Sequence, residues 1–541
     1  MLRGYAVSAV REAEDRVRAG LPEGELMQRA ARGLADVVAA RAAERDTVRV
    51  LVLAGPGDNG GDALHAAALL ATARADVPVD VVVVGVAERL HSGGLEAARQ
   101  AGVTVQLLAP DAHELPTEVV DALRAAELVV DGLLGIGGRP GLRGAMRLVV
   151  DQVPETAYLL AVDLPSGTDP EGVERAEPTV RADETVTFGM LKPVHLLPAT
   201  EAEVGRLTVV DIGVEMDSEP AVERLEPGDV ARLWPVPGPH DHKYSRGVVG
   251  VVAGSEDYPG AAVLCVSAAV ESGAGMVRYL GPRRAEDLVL SACPEAVPGD
   301  GQVQAMVVGP GVPARGRQTQ RIRQALASEV PLVVDAGGLD ALTWWLRTGH
   351  RRRAPTLLTP HAGELARLLD ALEADGPEGA SRAEGASRTG GASGAGGASR
   401  AGGPTDAPEP RVTRAAVEED PVGYARRAAR LTGCTVLLKG STTLVVDPDP
   451  QVPVRAQRDA PAWLATAGAG DVLAGLAGTL LAAGRSPLEA GSLAALVHGL
   501  AADLANPGGP VRALAVARAV PRVVAGALAD RSCESTGSGE E

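Results

Sequence analysis

Short apolar runs alternate with alanine-rich, helix-forming stretches along most of this chain. From Thr47 the series runs VRVLVLAG, ALHAAALLATARA, VDVVVVGV, GLEAARQAG and VTVQLLA, and it continues through ELVVDGLLG and AYLLAVDLPSG. Unbroken apolar runs of this length between helical segments are typical of strands buried on both faces of a parallel sheet. The pattern predicts a doubly wound α/β domain over residues 1–214, closed by the extended runs ETVTFGM and RLTVVDIGV.

A second alternating series follows a polar, proline-rich stretch, residues 215–239, which we interpret as a linker. The runs GVVGVVAGS, AMVVGPGV, VPLVVDAGGL and CTVLLKGSTTLVV predict another α/β domain over residues 240–530. Within it, residues 375–410 are rich in Gly, Ala and Ser and have too few apolar side chains to offset the entropy of ordering. We expect a disordered surface insertion there, and a solvated tail over residues 531–541.

Length and charge narrow the possible functions. A chain of 541 residues with 45% hydrophobic content can bury two cores, because single cores stop growing at roughly 250 to 300 residues. The formal net charge of -18 argues against nucleic acid, whose phosphates are neutralised by clustered Lys and Arg. The 4 cysteines form no CxxC pair, which disfavours a disulfide framework and a structural zinc site.

The N-terminus reaches charged residues before any long apolar run, and no later segment reads as a clean apolar 18-residue stretch. We therefore expect no membrane partner and a cytoplasmic location. Lysine is rare where arginine is abundant: Lys192, Lys243 and Lys439 are the only lysines. Each is a candidate for a specific role rather than for general solubility.

The first candidate site is GPGDNGGDA, Gly55 to Ala63, where a predicted strand ends and a helix begins. Backbone N–H groups at a helix N-terminus, which glycines allow to approach closely, cradle phosphate or carboxylate groups. An ordinary tight turn is the simpler alternative, but Asp58, Asn59 and Asp62 add polar oxygens to the same turn. We therefore favour a functional loop.

Two acids stand at the ends of later predicted strands, Asp131 in VVDGLLGIGGRPG and Asp163 in AVDLPSG. Open α/β sheets place their ligand crevice at these strand ends. Either acid alone reads more simply as a helix cap. Together with the glycine loop, they indicate three strand ends that converge on one site.

In the second half, TAGAGDVLAG places small residues where a helix begins, so that backbone N–H groups can face a transferred phosphoryl group. Asp471 would then accept the proton of the attacking hydroxyl, although a helix cap is the alternative. Lys439 follows a strand and reads as a nucleotide contact. His361 lies in a strand-to-helix turn, TPHAGELARLL, and GPG at Gly309 to Gly311 forms another strand-end loop.

The first half resembles the NAD(P)H-hydrate epimerase family through its glycine loop, YAVSAVREAE, PEGELMQRAA and FGMLKPVHLLP. The resemblance implies a Rossmann-like three-layer sandwich, in which Asp163 serves as acid or base and Asn59, Asp131 and Ser166 hold K⁺. A hard, oxygen-rich site suits such an ion. The residues implied to contact the hydrated nucleotide are Asp58, Asn59, Gly60, Gly61, Asp62, Gly135, Ile136, Gly137, Gly138, Arg139, Pro140, Gly141 and Asp163.

Two positions depart from the family's GxGNNGGDG loop: Asp58 replaces the first Asn and Ala63 replaces the last Gly. A negative charge at Asp58 then lies beside the expected position of an anionic ligand. One alternative is therefore a first domain that only binds a nucleotide or regulates the second.

HKYSRG, GPG, TPHAGE, LLKGSTT and AGAGD together resemble the ADP-dependent NAD(P)H-hydrate dehydratase family, a ribokinase-like branch, across about residues 228–530. The resemblance implies ADP and Mg²⁺, with Asp471 as the base. Ala469 replaces the hydroxyl residue of the usual GTGD or GSGD and keeps its small volume. Ala261, Gly311, His361 and Asp471 would contact the hydrate, and Lys439, Gly440, Ser441, Thr442, Thr443 and Gly470 the nucleotide.

The resemblances imply repair of hydrated NADH and NADPH, called NADHX and NADPHX. The first domain would interconvert the R and S hydrates, and the second would dehydrate the S hydrate while ADP becomes AMP and phosphate. Phosphorylating the hydroxyl makes it a good leaving group. The alternative is a ribokinase-like small-molecule kinase with an N-terminal nucleotide-binding regulatory module. We expect a homo-oligomer in either case.

Overall fold

The computed structural model describes residues 1–46, 49–74, 77–85, 90–313, 315–373 and 411–537. Its contacts divide the chain into two compact units, Met1–Arg224 and Leu225–Glu541. The predicted insertion at 375–410 lies outside the described residues.

The first unit is an α/β sandwich on a 7-stranded parallel sheet of order β4-β3-β2-β5-β6-β7-β8. Its strands are β1 (Leu2–Gly4), β2 (Val50–Ala54), β3 (Val79–Val84), β4 (Thr104–Leu108), β5 (Leu128–Gly132), β6 (Tyr158–Val162), β7 (Glu184–Phe188), β8 (Arg206–Val210) and β9 (Val222–Arg224). Its helices are α1 (Val7–Arg18), α2 (Glu25–Glu44), α3 (Asp58–Ala73), α4 (Ser92–Gln100), α5 (Thr117–Ala125) and α6 (Gly144–Val150).

The central strands are apolar because both faces of the sheet are covered. Every residue of β2, VLVLA, is buried. One core cluster joins Val50 and Val52 to α2, α3 and α4, and another joins Leu51 and Leu53 to α5 and α6. The strand order reverses between β2 and β5: strands are added to one side of β2 up to β4 and to its other side from β5 onward. The carboxyl ends of these parallel strands therefore form a crevice. The predicted three-layer sandwich is confirmed.

Residues 215–239 contain secondary structure that the linker interpretation did not predict. Strand β9 pairs antiparallel with β1, Leu2 opposite Arg224, and the contact division falls at Arg224 rather than near Val214. Helix α7 (Pro227–Leu233) follows, begun by Pro227 and a reciprocal capping interaction. These short elements bury isolated apolar side chains that are flanked by polar and proline residues. A search for long apolar runs therefore does not detect them.

The second unit has a mixed sheet in which the strands follow the order β18-β17-β16-β15-β14-β13-β10-β11-β12. Its strands are β10 (Val248–Val252), β11 (Met276–Tyr279), β12 (Val297–Pro298), β13 (Ala305–Val308), β14 (Leu332–Val334), β15 (Thr356–Leu358), β16 (Thr435–Leu438), β17 (Thr443–Val446) and β18 (Val454–Gln457). Its helices after α7 are α8 (Pro259–Glu271), α9 (Arg283–Ala292), α10 (Arg317–Ala327), α11 (Gly337–Arg347), α12 (Ala362–Glu373), α13 (Arg414–Glu419), α14 (Pro421–Thr432), α15 (Ala469–Ala482), α16 (Pro487–Ala505) and α17 (Ala513–Gly537).

Strands β10 to β16 pair in parallel, whereas β16, β17 and β18 form an antiparallel meander. Helix α15 is buried along most of its length and lies against α8 and the strands β10, β13 and β14. Small residues permit that approach, since a Cβ at Gly475 would lie 2.2 Å from the Cys265 carbonyl oxygen and one at Gly478 2.3 Å from the Val307 side chain. The α/β fold predicted for the second domain is confirmed.

Two helices differ from the sequence interpretation. Helix α16 is long and apolar enough, by length and composition, to cross a membrane, although 61% of the apolar window is buried inside the protein. Buried core helices of soluble proteins have this same composition. Helix α17 continues through Gly537, so helix replaces most of the tail predicted at 531–541, and residues 538–541 lie outside the described part.

Candidate active sites

The glycine loop of the first unit connects β2 to α3 and lies against the end of β5. A Cβ at Gly55 would fall 1.8 Å from the Leu133 carbonyl oxygen, and one at Gly60 would fall 1.9 Å from the Gly55 carbonyl oxygen. Only glycine fits such backbone contacts. The loop therefore presents the first turn of α3 to the crevice, with its backbone N–H groups free of intrahelical partners.

The two departures from the family loop are accommodated locally. Asp58 is exposed and is the first residue of α3, where the positive end of the helix dipole favours an acid. Ala63 is fully buried, and its methyl group packs against the end of β5 where Gly132 leaves room. Neither residue obstructs the loop.

Asn59, Asp131 and Ser166 form one hydrogen-bonded cluster at the ends of β5 and β6. The Ser166 hydroxyl donates to Asp131 Oδ1 at 2.7 Å, and the Ser166 amide donates to Asp131 Oδ2 at 2.8 Å. The Asn59 side-chain amide donates to the Val162 carbonyl at 2.7 Å and the Leu134 carbonyl at 3.2 Å. Burial raises the pKa of Asp131 to about 6, opposed by its Ser166 hydrogen bonds.

This cluster offers only oxygen atoms to a cation: the Asp131 carboxylate, the Ser166 hydroxyl and the backbone carbonyls that Asn59 now occupies. Such a donor set fits K⁺ and does not fit zinc. Gly135 is required beside it, because a Cβ there would lie 2.3 Å from Asn59 Oδ1.

Asp163 is held in a strained backbone conformation by a buried network. Its φ is +66°, which is uncommon for a residue other than glycine. Lys192 Nζ donates to Asp163 Oδ1 at 2.5 Å, and the Thr187 hydroxyl donates to the same oxygen at 2.8 Å. Burial is the largest influence and opposes ionisation, but the charge and hydrogen bond of Lys192, with smaller contributions from His195 and Thr187, together lower the pKa of Asp163. This carboxylate is ionised at neutral pH.

His195 completes the network as a neutral ring. Its Nδ1 accepts a hydrogen bond from the Lys192 amide at 3.0 Å, so Nε2 carries the proton and donates to the Asp163 carbonyl at 2.8 Å. Burial lowers the pKa of His195 to about 4. Lys192 and His195 lie in the segment FGMLKPVHLLP that carries part of the family resemblance, but the sequence did not identify them as site residues, and Thr187 lies just outside that segment. No local pattern links any of the three to Asp163.

Asp62 lies in the same site without a counter-charge. It is 8% exposed, and its Oδ1 has no hydrogen-bond partner among the residues that the structure describes. Burial raises its pKa well above the ordinary value, and Asp163, Asp58 and Glu14 raise it further. Glu14, on α1, was not foreseen as a site residue; burial raises its pKa too.

The loop from Gly135 to Gly141 closes the site between β5 and α6. The Gly138 amide donates to the Gly135 carbonyl at 2.8 Å, and the Gly141 amide to the Gly167 carbonyl at 2.7 Å. Arg11 donates to the Ile136 carbonyl at 2.9 Å. Gly137 and Arg139 are exposed, whereas Gly138 and Pro140 are partly buried. The loop thus joins the other predicted residues at the crevice.

In the second unit, Asp471 lies in the first turn of α15, after the left-handed Gly468. Burial raises the pKa of Asp471 to about 7; Asp335 raises it and Lys439 lowers it. At this helix N-terminus the free backbone N–H groups can bind phosphate. A carboxyl group whose pKa is near 7 can exchange a proton with substrate at neutral pH.

Lys439 lies beside this turn, since a Cβ at Gly470 would fall 3.3 Å from Lys439 Nζ. Lys439 donates to Asp335 Oδ1 at 2.8 Å, and Thr359 donates to the same oxygen at 2.8 Å. Burial alone would lower the pKa of Lys439, but Asp335 and then Glu364 raise it. Asp335 was missed, although it follows a predicted strand as Asp131 and Asp163 do.

His361 is adjacent to Lys439 through a parallel bridge, and the Lys439 amide donates to the Pro360 carbonyl at 2.9 Å. The His361 side chain is 53% exposed, and its Nδ1 accepts hydrogen bonds from the Gly363 and Glu364 amides. Burial lowers the pKa of His361. Its Nε2 lies 3.6 Å from the Glu364 carboxylate, and the half-exposed ring can contact a ligand.

The remaining predicted residues are divided between two loops. Gly440 and Ser441 are exposed on the turn between β16 and β17, Thr442 is buried, and Thr443 begins β17. Gly311, at a φ of +62°, packs on Ala261, whose Cβ would lie 2.5 Å from an added Cβ. Among the described residues, no group of three or more His, Cys, Asp or Glu side chains could hold a metal ion.

Comparison with known proteins divides the chain in the same way. Residues 23–194 match the family described as YjeF-related protein N-terminus, and residues 249–392 and 409–519 match the family described as NAD(P)H-hydrate dehydratase. A crystal structure of an ADP/ATP-dependent NAD(P)H-hydrate dehydratase from Bacillus subtilis, co-crystallised with ATP and Mg²⁺, is 24% identical, covers 56% of this chain and 97% of its own, and has a TM-score of 0.44.

Curated relatives match the chain almost from end to end. A bifunctional NAD(P)H-hydrate repair enzyme of Mycobacterium leprae is 40% identical over 518 residues, which are 93% of this chain and 94% of that protein. One from Corynebacterium glutamicum is 32% identical over 88% of this chain and 87% of its own length. With both halves matched in order, this chain belongs to the family of bifunctional NAD(P)H-hydrate repair enzymes.

Proposed function

We propose that the first unit interconverts the R and S hydrates of NADH and NADPH, and that the second dehydrates the S hydrate with conversion of ADP to AMP and phosphate. The observation that carries the proposal is the arrangement at the start of α15. Asp471, with a pKa near 7, lies at a phosphate-binding helix N-terminus next to Lys439. That arrangement suits phosphoryl transfer to a hydroxyl group.

In the dehydration, the Asp471 carboxylate takes the proton of the substrate hydroxyl. The hydroxyl oxygen attacks the terminal phosphorus of ADP, and AMP leaves. The lone pair of the ring nitrogen then expels phosphate, and loss of a proton from the neighbouring ring carbon restores NADH. Lys439 stabilises the charge on the nucleotide phosphates. The exposed ring of His361, with Ala261 and Gly311, would position the hydrate.

Mg²⁺ bound with the nucleotide would neutralise phosphate charge. Because Mg²⁺ keeps waters and phosphate oxygens as ligands and needs only one or two carboxylates, Asp335 and Glu364 are the side chains that would help to hold it. Both carboxylates face Lys439, Glu364 at 3.8 Å. In the first unit, the oxygen cluster of Asn59, Asp131 and Ser166 would hold K⁺, and K⁺ would fix the loop geometry around a substrate phosphate.

The test follows NADH absorbance after purified full-length protein, Mg²⁺ and either ADP or ATP are added to a mixture of NADHX epimers. Recovery that proceeds to completion supports both activities, and Asp471→Asn should show none. Recovery that stops once the S hydrate is consumed contradicts the epimerase assignment. If neither nucleotide supports recovery and a phosphorylated product is released instead, the second unit is a small-molecule kinase.

The cytoplasmic location and the homo-oligomer remain predictions. Light scattering on the protein as it elutes from a size-exclusion column measures the oligomeric state. The mass of a single chain would contradict the predicted homo-oligomer.

A further inference from the structure

Two carboxyl groups of the first site, those of Asp62 and Asp163, lie in opposite surroundings. Asp163 receives hydrogen bonds from Lys192 and Thr187, and the Lys192 ammonium neutralises its charge within a site where Lys192 is 1% exposed. Asp62 is also buried, at 8% exposed, yet no donor reaches its Oδ1 among the described residues. A buried carboxylate without a donor or cation is strongly disfavoured, whereas the neutral acid is tolerated.

The charged groups that face Asp62 come from three elements and agree in sign. Asp58 lies one helical turn before it on α3, Glu14 lies on α1, and Asp163 follows β6; each of them raises the pKa of Asp62. His195, the imidazole of the Asp163 network, is neutral at neutral pH. Lys192 is bound to Asp163 by a hydrogen bond and an ion pair. At neutral pH Asp62 is therefore protonated and Asp163 is ionised.

We propose that Asp62 is the proton donor and Asp163 the proton acceptor of the epimerisation, with Lys192 as the positioning residue for Asp163. The inference rests on the proposed epimerase function and assigns its chemistry. Titratable groups whose surroundings hold them in opposite protonation states divide acid and base roles in this way. Removing the proton from Asp62, or adding one to Asp163, would stop the reaction.

The step balances without an outside reactant. The hydroxyl group lies on the ring carbon next to the ring nitrogen. Asp163 removes the hydroxyl proton, the oxygen electrons form a carbonyl, the carbon–nitrogen bond breaks, and its electron pair takes the proton of Asp62. Rotation about the adjoining carbon–carbon bond presents the other carbonyl face. The nitrogen then adds to that face, returns a proton to Asp62, and the oxygen regains a proton from Asp163.

The experiment measures interconversion of separated NADHX epimers by chromatography, with full-length protein and K⁺ but without ADP or ATP, so that dehydration cannot consume either epimer. Asp62→Asn is the main variant, because the amide keeps the shape and neutrality of the protonated acid but cannot protonate nitrogen. Asp62→Glu restores the acid. Asp121→Asn, an exposed acid on α5, is the matched control, and the melting temperature of each variant reports folding.

We expect Asp62→Asn to lower kcat by about a hundredfold or more, with KM changed by less than about threefold, and Asp62→Glu to recover part of the loss. The wild-type rate should also fall at alkaline pH as Asp62 loses its proton. An Asp62→Asn kcat within about fivefold of wild type, or a raised KM with kcat intact, overturns the inference and leaves Asp62 a binding residue. If wild type and Asp121→Asn are both inactive, the epimerase function fails first.

Discussion

Single side chains in both sites take their ionisation from a neighbour that is distant in sequence. Lys192 keeps Asp163 charged, and Asp335 keeps Lys439 charged while raising the pKa of Asp471. In each case burial removes water, so that nearby charges act strongly on the protonation state. The protonation state of each of these side chains therefore depends on the charged residues packed against it.

The pKa of Asp471 predicts how dehydration depends on pH. The reaction needs the carboxylate form, and its pKa is about 7. The dehydratase rate at saturating substrate should therefore fall as pH drops below about 7, approaching tenfold per unit in the acid range. A pH profile of NADH recovery from the S hydrate measures this. A rate unchanged between neutral and mildly acid pH would contradict Asp471 as the base.

Loss of the Lys192 charge should destabilise the first unit, because Asp163 would be buried without a partner. Lys192→Met should lower the free energy of unfolding in urea by about 3 to 5 kcal/mol. The exposed Lys243→Met should change it by less than about 0.5 kcal/mol. The double variant with Asp163→Asn should recover part of the loss.

The pH dependence of that difference follows from the lowered pKa of Asp163. The stabilisation is present above the unfolded-state value of 3.8 and is lost as pH falls through the lower folded value. The gap between wild type and Lys192→Met should therefore be largest at neutral to alkaline pH and shrink as pH falls, because burial without a partner raises the pKa of Asp163 in the variant, which then regains stability by protonation, and the wild-type pair is itself lost in acid. A gap that is absent at neutral pH would show that the pair contributes no net stability.

Loops at the carboxyl ends of strands, rather than the helices and strands themselves, assemble each site. The first site combines the segments after β2, β5 and β6, and the second combines those after β13, β14, β15 and β16 with the start of α15. Rigid parallel strands align these loops at one sheet edge. Glycine is needed where two loop backbones or a loop and a side chain touch.

Gly135→Ala tests that requirement. The added Cβ would lie 2.3 Å from Asn59 Oδ1, so either Asn59 or the loop must move. Epimerisation should fall by about tenfold or more, and its dependence on K⁺ should weaken, while dehydration of purified S hydrate is unchanged. Gly20→Ala, where the nearest atom is 3.6 Å away, is the matched control. Unaltered epimerase kinetics in Gly135→Ala would show that the loop adapts.

Across the whole chain, the two sites lie in separate compact units and share no residue. A variant defective in one should therefore leave the other active. Asp163→Asn should dehydrate the S hydrate and then stall, and Asp471→Asn should epimerise without forming NADH. Mixed together, these two proteins should restore complete recovery, because the hydrate diffuses between them. If the mixture stalls as Asp163→Asn does alone, the hydrate must pass within one chain.

The alternation of apolar runs and helical stretches was sufficient to predict two α/β units, because a strand buried on both faces of a parallel sheet requires apolar residues at consecutive positions. Strand-end acids and glycine loops located Asp131, Asp163 and Asp471 for a similar reason: each belongs to a local motif. Short elements such as β9 and α7 left too weak an apolar pattern to be recognised.

Ionisation and partnership were decided only by the folded chain. Lys192 reaches Asp163 across 29 positions and Lys439 reaches Asp335 across 104, separations at which a local pattern specifies no contact. Asp62 belongs to a recognisable loop, yet whether its Oδ1 finds a hydrogen-bond partner among the described residues depends on what α1 and the segment after β6 bring near it. Residue types and strand ends are local properties of a sequence, whereas exclusion of water and the sign of neighbouring charges arise only when distant segments pack together.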